Sequence, residues 1–243
     1  MTLHRFTVTV GAADVVGVLH LPERRPSACV VACHGMGASK DSDKYLVLGR
    51  ELPAAGLALA RFDFRGGGES GGLYQEATIE TRVADLEAVL DHLAKRPELD
   101  GRFGLLGSSL GGYVALWAAS RAAAAAPLPV VTWNAPASLR DLPGADPAEA
   151  GAALVAEVRR GEWAEAPAGL SRVLVVQADR DEVVPPAHGH ALFARAREPR
   201  RLHVIAGADH RLSDADHRRE ALEESRRWLL AHLAHPDPTG RTR

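Results

Sequence analysis

Apolar positions along the chain fall into two alternating rhythms. Over the first twenty residues they recur every second position, at Phe6, Val8 and Val10 and again at Val16 and Val18 after "GAAD". That period places one face inward and predicts an antiparallel hairpin. Short runs that are apolar nearly throughout follow: "ACVVACHG", "LALARFDF", "RFGLLGS", "LPVVTWNAP", "RVLVVQAD" and "RRLHVIAG". Such runs read as strands buried on both faces. Between them the period lengthens to that of a helix. "TIETRVADLEAVLDHLAKR" carries Val83, Leu86, Leu90 and Leu93 on one stripe, and "YLVLGREL" carries Tyr45, Leu48 and Leu52, with Gly56 as a stop. "DPAEAGAALVAEVRRG" opens with Asp146 as cap, Pro147 in the first turn and Glu149 three past the cap. A last helix starts near Ser213 and runs through Leu222, Trp228, Leu229 and Leu233.

Strand–helix alternation predicts an α/β fold: a mostly parallel sheet with an N-terminal antiparallel hairpin and helices on both faces. Ligands then belong at the carboxyl ends of the strands. At 243 residues without an internal repeat or long linker, one domain over 1–235 is expected, with 236–243 as a disordered tail. A formal net charge of -2 with acids interleaved among the arginines carries no footprint for nucleic acid or an anionic membrane. The N-terminus has no apolar run of signal-peptide type, and no segment has the length of a membrane span. Cys29 and Cys33, about 13 Å apart on one strand face, are too distant for a disulfide. Reduced core cysteines and a cytoplasmic protein are the expectation.

The chemistry-bearing residues cluster at the predicted strand ends. Gly107-Ser108-Ser109-Leu110-Gly111 fits G-x-S-x-G in one frame, which centres Ser109. Ser108 would be flanked by Leu106 and Leu110, which cannot relieve a sharp strand-to-helix turn. A serine nucleophile needs a base, and the base an orienting acid. "VVQADRDEVVPP" offers acids past one strand and "HVIAGADHRLSD" offers His210 past the next. For the oxyanion, the backbone N–H of Leu110 is one donor. Gly35 and Gly37 in "VVACHGMGASKD" let a second loop approach, which makes Met36 N–H the other. The remaining histidines, "HGH" at 188–190 among them, have no metal-ligand spacing, and no H-E-x-x-H occurs. No metal and no organic cofactor is implied.

Five ordered motifs now resemble the α/β-hydrolase superfamily over nearly the whole chain. "HGMGASKDSDKY" is similar to its oxyanion loop, "DFRGGGESGG" to its D-x-R-G-x-G-x-S loop, and "GSSLGG" to its elbow. "QADRDEVVP" is similar to its acid loop and "GADH" to its histidine loop. The resemblance implies Asp181 as the catalytic acid, closed by Val184-Pro185, with Asp179 as a structural rival. Gln177-Ala178 stand where the superfamily often has His-Gly, and Asp63 and Arg65 would fix their loop. Within the superfamily the chain most resembles small esterases and serine-aminopeptidase-like hydrolases, including the cinnamoyl (feruloyl) esterase type. Dienelactone hydrolases carry cysteine at the elbow, so Ser109 argues against that branch. Residues 137–171 would form a short lid insertion, leaving a small or minimal lid. The expected function is hydrolysis of a small-molecule carboxylic ester through Ser109, His210 and Asp181. A thioesterase, small-peptide amide hydrolase or acyltransferase would use the same triad, and a non-catalytic ligand-binding module is a different class of reading. Tyr74, Trp133 and Trp163 are candidate pocket residues.

Overall fold

The computed structural model describes residues 2–122, 127–140 and 150–233. Eight strands form one sheet: β1 (Thr2–Val10), β2 (Ala13–Leu21), β3 (Ser27–Cys33), β4 (Ala58–Phe62), β5 (Leu99–Ser108), β6 (Val130–Trp133), β7 (Val173–Ala178) and β8 (Arg200–Ile205). Their spatial order is β1-β2-β4-β3-β5-β6-β7-β8. β1 and β2 form the hairpin, β2 pairs antiparallel with β4, and all later neighbours are parallel. The helices are α1 (Asp43–Ala54), α2 (Ile79–Leu93), α3 (Leu110–Arg121), α4 (Ala152–Arg159), α5 (Ala187–Arg195) and α6 (Ala215–Leu233).

Every residue of β3 is buried, and the strand divides its side chains between two cores. Cys29, Val31 and Cys33 join the core beneath α2, α3 and α5, while Ala28, Val30 and Ala32 join the one beneath α1 and α6. This is the layered solution for a parallel sheet, where each face needs its own cover. Both cysteines are buried free thiols, and burial pushes them above the usual thiol range. The stripe of α2 is completed by Ile79 and Val89, with Leu90 half-buried beside them. Thr78 and Thr81 cap that helix reciprocally. Glu157 on α4 also accepts from Ile79 N (2.6 Å) and Glu80 N (3.2 Å), so its carboxylate sits at the N-terminus of α2.

Three elements depart from the sequence pattern. β8 is an edge strand, not a strand buried on both faces: among the described residues only β7 pairs with it, and Val204 is exposed. Its arginines bind the flanking helices: Arg200 Nη1 donates to Phe193 O (2.7 Å) and Ala196 O (3.0 Å) at the end of α5, and Arg201 pairs with Glu224 of α6 (3.1 Å). β5 starts at Leu99, ahead of the apolar run, because Leu99 pairs with Ser27 across a bulge. β6 is shorter than its apolar run, since Asn134 turns into a left-handed conformation (φ 52°). The interval after β6 holds α4, which begins at Ala152 after Gly151, while the expected Asp146–Glu149 start lies outside the described residues. The tail at 236–243 lies outside them as well.

Candidate active site

Ser109 sits between the end of β5 and the start of α3 with φ 54° and ψ -127°, a backbone region that costs energy for any side-chain-bearing residue. The glycines around it are required by contact. A Cβ on Gly107 would lie 2.3 Å from Gly111 O, and one on Gly111 would lie 2.2 Å from Cys33 O. The turn is therefore packed backbone-on-backbone against the end of β3. Ser109 N donates to Trp133 O (2.8 Å), which ties the turn to β6 as well. Ser108 faces elsewhere: buried, its Oγ accepts from Lys44 Nζ on α1 at 2.8 Å.

The loops after β7 and β8 bring their chemistry to the same edge. His210 Nε2 lies 3.1 Å from Ser109 Oγ. His210 Nδ1 lies 2.9 and 2.8 Å from the two Asp181 oxygens. Asp181 is itself fixed, since its Oδ1 accepts from Val183 N (2.9 Å) and Val184 N (2.7 Å). With Asp181 accepting, the proton belongs on Nδ1, and Nε2 is free to accept from the serine hydroxyl. Asp179 instead accepts from Gly207 N (2.6 Å) and ties the two loops together. Gln177 points into the structure and donates to Ala178 O and Val184 O, so it braces the acid loop.

The loop after β3 crosses the elbow closely. A Cβ on Gly35 would meet Ser108 O and Ser109 Cβ, each at 3.1 Å. Met36 and Leu110 share a cavity wall with Ser109, and neither N–H donates to any acceptor among the described residues. His34 holds this loop by its tautomer. Nε2 accepts from Phe64 N (3.1 Å), so Nδ1 carries the proton and donates to Gly35 O at 2.8 Å. Burial holds the His34 pKa down, which favours this neutral form. Asp63 anchors the same region, accepting from Lys40 N (2.7 Å), Lys40 Nζ (2.9 Å) and Glu69 N (3.0 Å). Arg65 binds Asp85 through Nε (2.5 Å) and N (2.9 Å).

A cavity of about 290 Å³ opens beside Ser109. Its far wall is Leu154, Val155 and Val158 of α4, and Arg140 and Arg159 also line it. Two of the three candidate aromatic residues are corrected here. Trp133 is fully buried in the core beneath α1 and α6, donating to Ser225 Oγ (2.8 Å). Trp163 packs edge-to-face on Trp117 (4.6 Å) beneath the Arg121 guanidinium (5.1 Å). Neither lines the cavity. Tyr74 lines a second cavity, on the other side of Met36.

Asn134 belongs to the site although the motifs do not single it out. Its Nδ2 donates to His210 O (2.9 Å), and its Oδ1 accepts from Ala178 N (2.8 Å). A polar residue directly after a buried strand, in "VVTWNAP", was the available signal. Lys44, which props Ser108, left no such signal. Burial, with Arg211 and Arg218 nearby, pulls its pKa down to about 8. Among the described residues no group of histidine, cysteine and acidic side chains could hold a metal ion. No described helix is long and apolar enough to cross a membrane.

Residues 24–138, just under half the chain, match the profile of the serine aminopeptidase S33 family. No curated protein matches the chain. Among solved structures, a hydrolase structure from Agrobacterium vitis is 23% identical, with a TM-score of 0.74 over 96% of this chain and 98% of that one. Est1E from Butyrivibrio proteoclasticus, solved with ferulic acid bound, is 18% identical, with a TM-score of 0.77 over 95% and 100%. A dienelactone hydrolase from Anabaena variabilis is 21% identical, with a TM-score of 0.70 over 96% and 98%. Sheet order, elbow geometry and these likenesses agree: the chain has the α/β-hydrolase fold.

Proposed function

We propose that the protein is a serine hydrolase that cleaves a carboxylic ester by acyl transfer. The observation that carries this reading is the continuous hydrogen-bonded line Ser109–His210–Asp181 at the mouth of an apolar cavity. Ser109 Oγ attacks the ester carbonyl while His210 Nε2 takes its proton. Asp181 holds the imidazole by Nδ1 and stabilises the imidazolium that forms. The unspent N–H groups of Met36 and Leu110 receive the oxyanion, a contribution worth more in a dry, preorganised site than in water. His210 then passes the proton to the leaving alcohol, and water repeats the sequence to release the acid.

The cavity favours an ester over an aminoacyl amide. An aminopeptidase must hold the cationic amino group of its substrate, which calls for a carboxylate. Among the described residues that line this cavity there is no carboxylate, and there are two arginines, Arg140 and Arg159. An apolar acyl group suits the remaining wall of leucines and valines.

The test pairs a fluorophosphonate probe with a panel of nitrophenyl esters, acyl thioesters and aminoacyl amides. The expected result is labelling abolished by Ser109→Ala, with esters turned over fastest. Folded wild-type protein that takes no label would end the enzymatic reading. Preference for amides would overturn the choice of ester.

A further inference from the structure

The second cavity, about 210 Å³, lies across the oxyanion loop from Ser109 and shares Met36 with the first. Where the first has a wall of leucines and valines with Arg140 and Arg159 beside it, this one is lined largely by glycine main chain, with Arg65, Tyr74 and Arg82 among its side chains. Arg82, in the first turns of α2, is only 5% exposed. A buried guanidinium ordinarily has a carboxylate partner, because desolvating its charge is costly. Arg82 has none within ion-pair distance among the described residues.

The two acids whose charges act on it among the described residues are already engaged. Asp85 is bound by the N and Nε of Arg65, and Glu157 by the N–H groups of Ile79 and Glu80. Among the described residues the one hydrogen bond from its guanidinium goes to a neutral carbonyl, Thr78 O (3.2 Å), and the Tyr74 ring lies 6.0 Å from its guanidinium carbon. Gly37 and Gly68, which also line the cavity, donate their N–H groups to no acceptor among the described residues. A buried cation with spare donors and glycine main chain around it is a setting for an anion.

We propose that this cavity binds the carboxylate of the substrate's alcohol portion, so that the substrate is an apolar acyl ester of a small hydroxy acid. The assignment rests on the ester-hydrolase reading and adds the chemistry of the leaving group to it. With the acyl chain in the aliphatic cavity and the carbonyl oxygen on Met36 and Leu110 N–H, the alcohol crosses Met36 toward Arg82. The carboxylate then supplies the counter-charge that the guanidinium lacks among the described residues. The volume accommodates a group the size of roughly seven water molecules, which fits a short hydroxy acid and not a long chain.

The experiment has a binding arm and a kinetic arm. In the first, the Ser109→Ala protein, which needs no turnover, is titrated calorimetrically at fixed ionic strength with glycolate, 3-hydroxypropionate, 4-hydroxybutyrate and inorganic phosphate. In the second, butyryl esters of the three hydroxy acids are compared with their methyl-capped neutral counterparts on wild-type, Arg82→Lys and Arg82→Met proteins. At least one anionic ester is expected to exceed its neutral counterpart in kcat/KM by about tenfold or more, the worth of one charged hydrogen bond. Arg82→Met should remove that preference while leaving the neutral esters within about twofold, and Arg82→Lys should keep part of it. Should Arg82→Met fail to fold, the Lys variant and the wild-type comparison still decide. Equal or better turnover of the neutral esters overturns the proposal, as does phosphate binding without hydroxy-acid binding, which would mark a site for a free anion. Hydroxy-acid binding without turnover or fluorophosphonate labelling would keep the anion site while ending the ester-hydrolase reading.

Discussion

Gly35→Ala probes how tightly the loop after β3 is set against Ser109, the nucleophile of the proposed mechanism. The new Cβ would lie 3.1 Å from both Ser108 O and Ser109 Cβ, and 3.8 Å from Ser109 Oγ. The first two contacts are too short by a few tenths of an ångström, and neither neighbour can swing aside. Ser108 is buried in β5, and Ser109 is held by its hydrogen bond to Trp133 O. The loop must therefore lift, and it carries Met36 N–H away from the position proposed for the oxyanion. Complete loss of one such donor costs about 10²–10³ in kcat, and a misplacement of about 1 Å costs about 10². A shift of a few tenths should cost about 10- to 100-fold, or about 1.4–2.8 kcal/mol of barrier.

Stability should barely follow. The φ of Gly35 is not in the left-handed region, so alanine gains about 0.4–1 kcal/mol by restricting the unfolded chain. That offsets about 1 kcal/mol of overpacking, and the melting midpoint should move by no more than about 4 °C. Steady-state hydrolysis of a nitrophenyl butyrate, with thermal unfolding alongside, separates the two effects. The expected signature is a fall in kcat at nearly constant KM and Tm. An unchanged kcat in folded protein would refute Met36 as an oxyanion donor, and a pure rise in KM would make the loop a ground-state binding element.

Two further perturbations address the segments that hold Ser109, Asp181 and His210. Asn134→Ala leaves Ala178 N and His210 O without their partners; chemical unfolding should show a loss of about 2 kcal/mol, and kcat should fall about tenfold as His210 loosens. Full activity at reduced stability would limit Asn134 to a structural role. The Lys44 pKa is pulled from 10.5 to about 8, so between those values the unfolded chain binds the extra proton. Wild-type stability should therefore rise with pH across that window, relative to Lys44→Met. Urea unfolding of both proteins at about pH 7 and about pH 10 reads the difference, and a gap that does not change with pH would contradict the burial of this charge.

What the chain discloses in advance, and what it withholds, follows from how local each constraint is. The elbow is legible because its requirement is steric and contiguous: the backbone of Gly107 and Gly111 leaves no space for a Cβ, so the glycine frame itself selects Ser109. Asp181 is legible for a related reason, since its carboxylate caps Val183 N and Val184 N within its own loop. The pair Lys44–Ser108 spans 64 positions, and no local pattern encodes it. Trp133 failed as a pocket residue because a strand residue can face either side of the sheet and only register decides which, and Trp163 because it lies in the turn after α4, where its ring packs on Trp117. Arg82 was hidden differently. In sequence it is one more arginine beside acids in "IETRVADLE", indistinguishable from a solvated helix face. Only the folded chain shows that Asp85 is engaged by Arg65 and Glu157 by the start of α2. A buried cation whose neighbouring acids are engaged elsewhere is therefore invisible to motif reading. Such a charge is found by asking, of each buried cation, which acid remains to pair with it.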